Sequence, residues 1–319
     1  MSYAISLADV RRAAQRIQPH ARRTPVVTCA ALDAVAGQRL FLKCESFQRV
    51  GAFKFRGACN AVLALDDTLA ARGVATHSSG NHAAALALAA RLRGMRAHIV
   101  MPRGAPRVKH AAVVGYGGIV YECEPTLEAR ESTAARVVAE TGATLIPPYD
   151  YPDVIAGQGT TALELFEQVP DLDAIVAPVG GGGLVSGVAI VARGVRPSLR
   201  VIAAEPAGAD DAARSKAAGT LLPQTDPRSI ADGLKTSLGK LTWPIVRDLV
   251  ERVVTVEESE IKAALRLVWE RAKLVIEPSA AVAVAAALSP RLGVPAGSRV
   301  GVVVSGGNVD LDALASLLA

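Results

Sequence analysis

The amino-acid sequence predicts an α/β protein whose strands run mostly parallel, with helices covering both faces of the sheet. Three observations predict it. Short, apolar, β-branched runs recur along the chain. Longer amphipathic stretches lie between most of them. Gly, Asn or Pro stands where those longer stretches begin.

Taken in order, the first strand is LFLK at 40–43, followed by VATH at 74–77. A helix over 81–92 opens on Asn81 directly after Gly80. The strand HIVM at 98–101 leads into a helix over 106–114 that opens on a proline. The strand IVYE at 119–122 precedes a helix over 126–140, and TLI at 144–146 precedes one over 154–168. AIVAP at 174–178 runs into consecutive glycines and a helix over 184–193. RVIAA at 200–204 and VVTV at 253–256 are the next strands. A helix over 258–272, a helix over 279–288 behind Pro278, and VGVVV at 300–304 complete the pattern. The strand–helix series from Gly73 to Ile146 has the size of a small domain. We therefore expect residues 73–149 to be inserted into a large domain made of 1–72 and 150–319.

Composition removes several function classes. Half of the 319 residues are hydrophobic and 20% are charged, so the chain can bury enough apolar surface to fold. The longest purely apolar run, 280–288, falls well short of the ~18–20 residues that span a bilayer. The N-terminus has no apolar core before its first charges, so no secretory signal is expected and the cytoplasm is the expected compartment. The net charge is +5, but 27 of the 35 basic residues are arginines scattered along the chain, and aromatics make up only 4%. A nucleic-acid surface would cluster them. The four cysteines form no CxxC pair, and neither HExxH nor GxxxxGK[ST] occurs.

In open parallel sheets ligands sit at the carboxyl ends of strands, often on helix N-termini. Four turns there have unusual composition. Gly180, Gly181, Gly182 and Gly183 follow the strand at 174–178; bare amides at a helix start suit a phosphate. Close packing is the competing explanation. The spacing is not GxGxxG, which argues against a dinucleotide. Ser78, Ser79, Gly80, Asn81 and His82 suit a carboxylate, or serve as an ordinary helix cap. Ser305 stands at the end of the last strand. Lys54 lies in GAFKFRGA, between two phenylalanines and two glycines, and is one of only eight lysines. Apolar surroundings lower a lysine's pKa and make it a nucleophile or base. A lysine, a phosphate cup and a carboxylate loop together fit pyridoxal phosphate (PLP) acting on an amino acid.

With those residues in place, the chain resembles the serine racemase, serine/threonine dehydratase and 3-hydroxyaspartate dehydratase family of PLP fold type II, the tryptophan synthase β-like fold. The resemblance rests on KCESFQRVGAFKFRGACNAV, THSSGNH, EPTLEARES, VIAGQGTTALEL, PVGGGGLVSG, AAEPAGADD, IADGLKTS, LVWERAKLVIEPSAA and SGGNVDL, in family order. It implies that Lys54 is the Schiff-base lysine, with Phe53 beside the pyridine ring. It implies that Asn81 holds the 3-hydroxyl oxygen, that Gly180, Gly181, Gly182 and Gly183 hold the phosphate, and that Ser305 faces the ring nitrogen. Ser79 matches the serine that works on the ring face opposite the lysine in racemases. Glu205 and Asp211, with the carbonyl of Ala209, match a divalent-cation site for Mg²⁺, Mn²⁺ or Ca²⁺.

Two positions bear on the substrate. Tyr149 lies where dehydratases tend to carry an aromatic. Arg130 matches an arginine of racemases and hydroxyaspartate dehydratases, and a guanidinium can clamp a second carboxylate. The resemblance thus implies a dehydratase acting on a 3-hydroxy amino acid, first 3-hydroxyaspartate and then serine. A serine racemase or a threonine/serine dehydratase is the alternative. Arg49-Val50 departs from the polar pair at the racemase nucleotide site, so nucleotide activation is not expected. The expected partners are a small amino-acid substrate and a second copy of the chain, with no nucleic acid and no membrane.

Overall fold

A computed structural model describes residues 3–313, other than Ser79 and Pro106, together with Leu317. In chain order the elements are α1 (Leu7–Ile17), β1 (Val26–Val27), α2 (Ala30–Ala36), β2 (Arg39–Cys44), α3 (Lys54–Ala64), α4 (Asp67–Arg72), β3 (Val74–His77), α5 (Asn81–Leu92), β4 (Ala97–Pro102), α6 (Arg107–Gly115), β5 (Gly118–Cys123), α7 (Leu127–Thr141) and β6 (Thr144–Leu145). There follow α8 (Pro152–Gln168), β7 (Ala174–Pro178), α9 (Gly183–Val195), β8 (Arg200–Pro206), α10 (Asp211–Ala218), α11 (Thr242–Leu249), β9 (Arg252–Val256), α12 (Glu258–Leu267), α13 (Pro278–Leu288) and β10 (Arg299–Val304).

The strands form two sheets, as the α/β reading predicts. One has the order β1-β2-β10-β7-β8-β9 and is parallel except for β1, which runs antiparallel to β2. The other, β5-β4-β3-β6, is wholly parallel. Both faces of the six-stranded sheet are buried. Along β7, Ile175 and Ala177 join one apolar core, while Ala174 and Val176 join the other. A third core joins Phe55, Ala58 and Val62 of α3 to Leu86 of α5 and Ile99 of β4. Helix α3 therefore shares its apolar face with the segment 73–149. Among the described residues no helix is long and apolar enough to cross a membrane.

The predicted elements occur with ends shifted by at most two residues, but the expected helix over 258–272 does not stay α-helical to its end. Its last turn widens to a π-turn at Val268–Ala272 and stops at Lys273, which adopts a left-handed φ of 58°. The turn lets Trp269 Nε1 donate to the Ile276 carbonyl at 3.1 Å. Helices α1, α2, α4, α10 and α11 and strand β1 were not predicted, and α3 was expected only as a helix just after Lys54, without bounds. For α1 a signal was present: Ser6 and Asp9 form a reciprocal cap, with the Ser6 amide donating to Asp9 Oδ2 at 2.7 Å. For β1 there was none, since two residues become a strand only by pairing with β2.

Candidate active site

The four unusual turns converge at the carboxyl ends of the strands. The segment ahead of α3 is laced to the turn after β10: the Phe53 amide donates to the Ser305 carbonyl at 2.9 Å, and the Gly307 amide to the Gly51 carbonyl at 2.9 Å. Gly51 needs its left-handed φ of 68°, and a Cβ there would lie 2.5 Å from Asn308 Oδ1. This lacing puts buried Ser305 beside the start of α3, where Lys54 is the first residue. Lys54 Nζ lies 5.1 Å from the centre of the Phe53 ring and donates to the Pro148 carbonyl at 2.7 Å. Burial pushes its pKa down to about 8, against the opposing pull of the Glu277 charge. An amine so placed is substantially neutral in mildly alkaline solution and can act as nucleophile or base.

Gly180 to Gly183 turn the chain from β7 into α9. None of the amides from Gly180 to Val185 has an acceptor among the described residues, so they are free to hold an anion. Close packing, the competing explanation at the level of sequence, holds as well. A Cβ would lie 2.9 Å from Leu234 Cα at Gly180, 2.2 Å from the Tyr149 ring at Gly181 and 3.0 Å from Tyr149 Cβ at Gly183. Gly182 has a φ of +86° and abuts Leu238 and Thr242. The glycines thus bare one side of the loop to a ligand and press the other against protein. Gly181→Ala should weaken PLP binding about tenfold, because overpacking of this kind costs about 1–3 kcal/mol. Absorbance titration of cofactor-stripped protein measures it, and unchanged affinity would mean that Tyr149 yields freely.

On the other side lies the N-terminus of α5. The Ser78 amide is held by the Val100 carbonyl at 3.1 Å, and Ser78 Oγ accepts from the Gly80 amide at 3.3 Å. A Cβ at Gly80 would meet open space. Ser79 lies outside the described residues. The buried His82 ring meets the Ile146 carbonyl through Nε2 at 2.9 Å, and its Nδ1 has no partner among the described residues. Burial and the nearby Lys54 charge push its pKa down to about 3, so it stays neutral. Arg130 lies on α7, which packs against β3, the strand that ends at His77. His77 is shifted down first by burial, with Arg130 adding to that shift and Glu131 opposing it. The buried Nε of Arg130 has no hydrogen-bond partner among the described residues. Burial raises the pKa of Tyr149, with the Asp150 charge adding to the rise.

Sequence reasoning missed Glu277. It is 6% exposed and receives both Asn81 Nδ2 hydrogen bonds, at 2.9 and 3.1 Å. Asn81 Oδ1 in turn accepts from Asn308 Nδ2 at 2.9 Å. Burial, with Asp232 adding to it, raises the Glu277 pKa to about 7. The available signal was a glutamate directly before Pro278 at a helix start.

The residues implied as a cation site also come together. Glu205, next to last in β8, accepts from the amides of Ala213 and Ala212 at 2.7 and 3.2 Å. Asp211 opens α10 and accepts from the Leu238 amide through Oδ2 at 2.9 Å, while its buried Oδ1 has no partner among the described residues. Ala209 is buried in the turn between them. Burial raises Glu205 to about 8 and Asp211 to about 6, with the Asp211 charge adding to the rise at Glu205. Two desolvated carboxylates and an orphaned oxygen fit a hard cation. Among the described residues no three His, Cys, Asp or Glu side chains form a metal-binding group, so backbone oxygen would have to complete this one.

Residues 17–306 match the family model described as pyridoxal-phosphate dependent enzyme. The chain is 53% identical to a serine racemase of Arabidopsis thaliana over 316 residues, covering 98% of this chain and 96% of that one. It is 52% identical to the beta-hydroxyaspartate dehydratase of Paracoccus denitrificans (strain Pd 1222) over 312 residues, covering 98% and 99%. Its fold is similar to the solved structure of maize serine racemase, with a TM-score of 0.96, 50% identity, and coverage of 98% and 97%.

Proposed function

This chain belongs to the pyridoxal-phosphate dependent enzyme family, and from that premise we propose that it is a dehydratase (ammonia-lyase) removing water from a 3-hydroxy amino acid, with 3-hydroxyaspartate first and serine second. The observation that carries the diacid reading is Arg130, whose buried Nε lacks a partner among the described residues, on a helix packed against the strand that leads into the carboxylate loop. An unpartnered buried guanidinium nitrogen is costly, and a substrate's distal carboxylate would satisfy it. The dehydratase relative supports the same reading.

PLP, when bound, supplies the electron sink for the bond broken at the α-carbon. Lys54 would hold the cofactor, and its amine, once neutral, would take the α-proton of the substrate. Phe53 packs beside the ring. Asn81, whose Nδ2 donates to Glu277 and whose Oδ1 accepts from Asn308, would turn one N–H from Glu277 to hold the 3-hydroxyl oxygen. Gly180 to Gly183 bind the phosphate through their free amides. Ser305 would offer the ring nitrogen a hydroxyl, which would not enforce protonation there and so suits elimination. Ser78, Ser79, Gly80, Asn81 and His82 grip the α-carboxylate, and Tyr149 closes the site beside the cradle. Water leaves from the β-carbon, and the released enamine becomes an imine that hydrolyses to a keto acid, oxaloacetate from 3-hydroxyaspartate, and ammonia. Residues 73–149 move as a small domain over 1–72 and 150–319. The chain works as a homodimer in the cytoplasm.

The second reading is serine racemase, favoured by the Arabidopsis relative, with Ser79 serving the opposite face of the ring. Ammonia release from threo- and erythro-3-hydroxyaspartate, serine and threonine, scored beside D-serine formation from L-serine, separates the two. D-serine formed faster than ammonia from every substrate would overturn the dehydratase assignment.

A divalent cation, Mg²⁺ with Mn²⁺ or Ca²⁺ as alternatives, would sit on Glu205, Asp211 and the Ala209 carbonyl. Chelation should lower the melting temperature or the rate, and Mg²⁺ should restore it, because a cation held only by the folded chain stabilises it and offsets the burial of the Glu205 and Asp211 charges. Unchanged melting and rate after exhaustive EDTA treatment would remove the metal from the reading.

A further inference from the structure

Helix α8 lies between the two helices whose first turns build the site. On one side it meets α3, which begins at Lys54. A Cβ at Gly157 would lie 2.6 Å from both the Arg56 carbonyl and Gly57 Cα. On its other side it meets α9, which begins at the glycine cradle. A Cβ at Gly187 would lie 2.5 Å from the Gly159 amide and 2.6 Å from the Ile155 carbonyl. Both contacts are backbone against backbone, so little in them can flex.

The α3 contact is also fixed in rotation. Arg56, two residues after Lys54, has a side chain only 1% exposed. Its Nε and Nη2 fork onto Glu45 at 2.7 and 2.9 Å, and its Nη1 and Nη2 fork onto Glu164 of α8, both at 2.8 Å. Lys43 closes the cluster, donating to Glu164 at 2.7 Å, to Gln168 at 2.8 Å and to the Thr24 carbonyl at 2.8 Å. A buried charge cluster contributes little net stability over apolar packing of similar volume. What two planar forks set at an angle do provide is a single orientation.

We propose that α8 is the gauge that sets the separation of Lys54 from the glycine cradle, and that Arg56, forked onto Glu45 and Glu164, is the positioning residue that aims Lys54. The proposal rests on the reading of Lys54 and the cradle as the cofactor site. It extends that reading to groups that touch neither cofactor nor substrate, since misplacing a reacting group by about 1 Å can cost about 10²-fold.

The test compares Arg56→Lys, Glu164→Gln and Gly157→Ala with Leu292→Ala, a cavity variant in the turn that feeds the opposite end of β10. Three quantities are read: melting temperature, affinity of cofactor-stripped protein for PLP by absorbance, and kcat against KM. The three variants should bind PLP at least about tenfold more weakly and lose at least about tenfold in kcat with little change in KM. Leu292→Ala, with a comparable fall in melting temperature, should keep both. Affinity and kcat that follow melting temperature in all four variants would make the cluster structural and overturn the proposal. Should Arg56→Lys fail to fold, Glu164→Gln and Gly157→Ala decide. Borohydride trapping in the wild type keeps the two readings apart. Failure to trap PLP on Lys54 overturns the site itself, and with it this proposal. Trapping with variants that behave like the control overturns only the gauge.

Discussion

Lys54→Ala should abolish turnover and borohydride-trapped cofactor while leaving the fold intact. Lys54 opens α3 with its amine buried and held by the Pro148 carbonyl. Turnover retained by the purified variant would overturn the assignment. The same substitution has a stability signature in the cofactor-free protein. The folded-state pKa of about 8 lies below the ordinary value of 10.5. Between those values the unfolded chain binds more protons than the native one. Wild-type stability should therefore rise with pH across that window, with the burial cost fully present below pH 8. The Lys54→Ala variant lacks this rise, so the difference in melting temperature between the two proteins should shift in favour of wild type from pH 8 to 10.5. A pH-independent difference would mean that the amine keeps its ordinary pKa in the fold.

Arg130→Ala or Arg130→Met should cut kcat/KM for 3-hydroxyaspartate at least roughly tenfold more than for serine, since a charge-assisted hydrogen bond contributes about 1.5–3 kcal/mol. Serine has no distal carboxylate to lose. Arg130→Lys should recover only part of the loss, because an ammonium cannot make a two-pronged contact. Arg130 stands on α7, which packs against β3, whereas Lys54 opens α3, so in the proposed two-domain organisation the contact would tighten on closure of the segment that carries Arg130. An unchanged ratio of the two kcat/KM values would return Arg130 to a packing role and leave serine or threonine as the better substrate.

Part of this site is written locally in the chain. Lys54 stands out because its apolar and glycine neighbours are adjacent in sequence, and the glycines at 180–183 because four together exceed what a turn needs. Helix α5 was legible to its ends, since Gly80 and Asn81 mark its start. Strand β1 and Glu277 were not legible in the same way, because nothing next to them in sequence makes them a strand or a ligand of Asn81.

The sequence by itself determined the alternation of strands and helices and the family, and it marked out the lysine and the glycine run. Periodicity, capping and turn chemistry act over a few residues, and that range is enough for those features. Only the tertiary structure decided what surrounds them. The carbonyl that takes the Lys54 proton donor lies 94 residues away, and the carboxylate behind Asn81 lies 196 residues away. The Tyr149 ring that forbids a side chain at Gly181, and the Glu164 fork on Arg56, likewise come from distant segments. The pKa shifts of Lys54 and Glu277 belong to the same class. Burial is their largest cause, and burial is a property of the packed core rather than of any run of neighbouring residues.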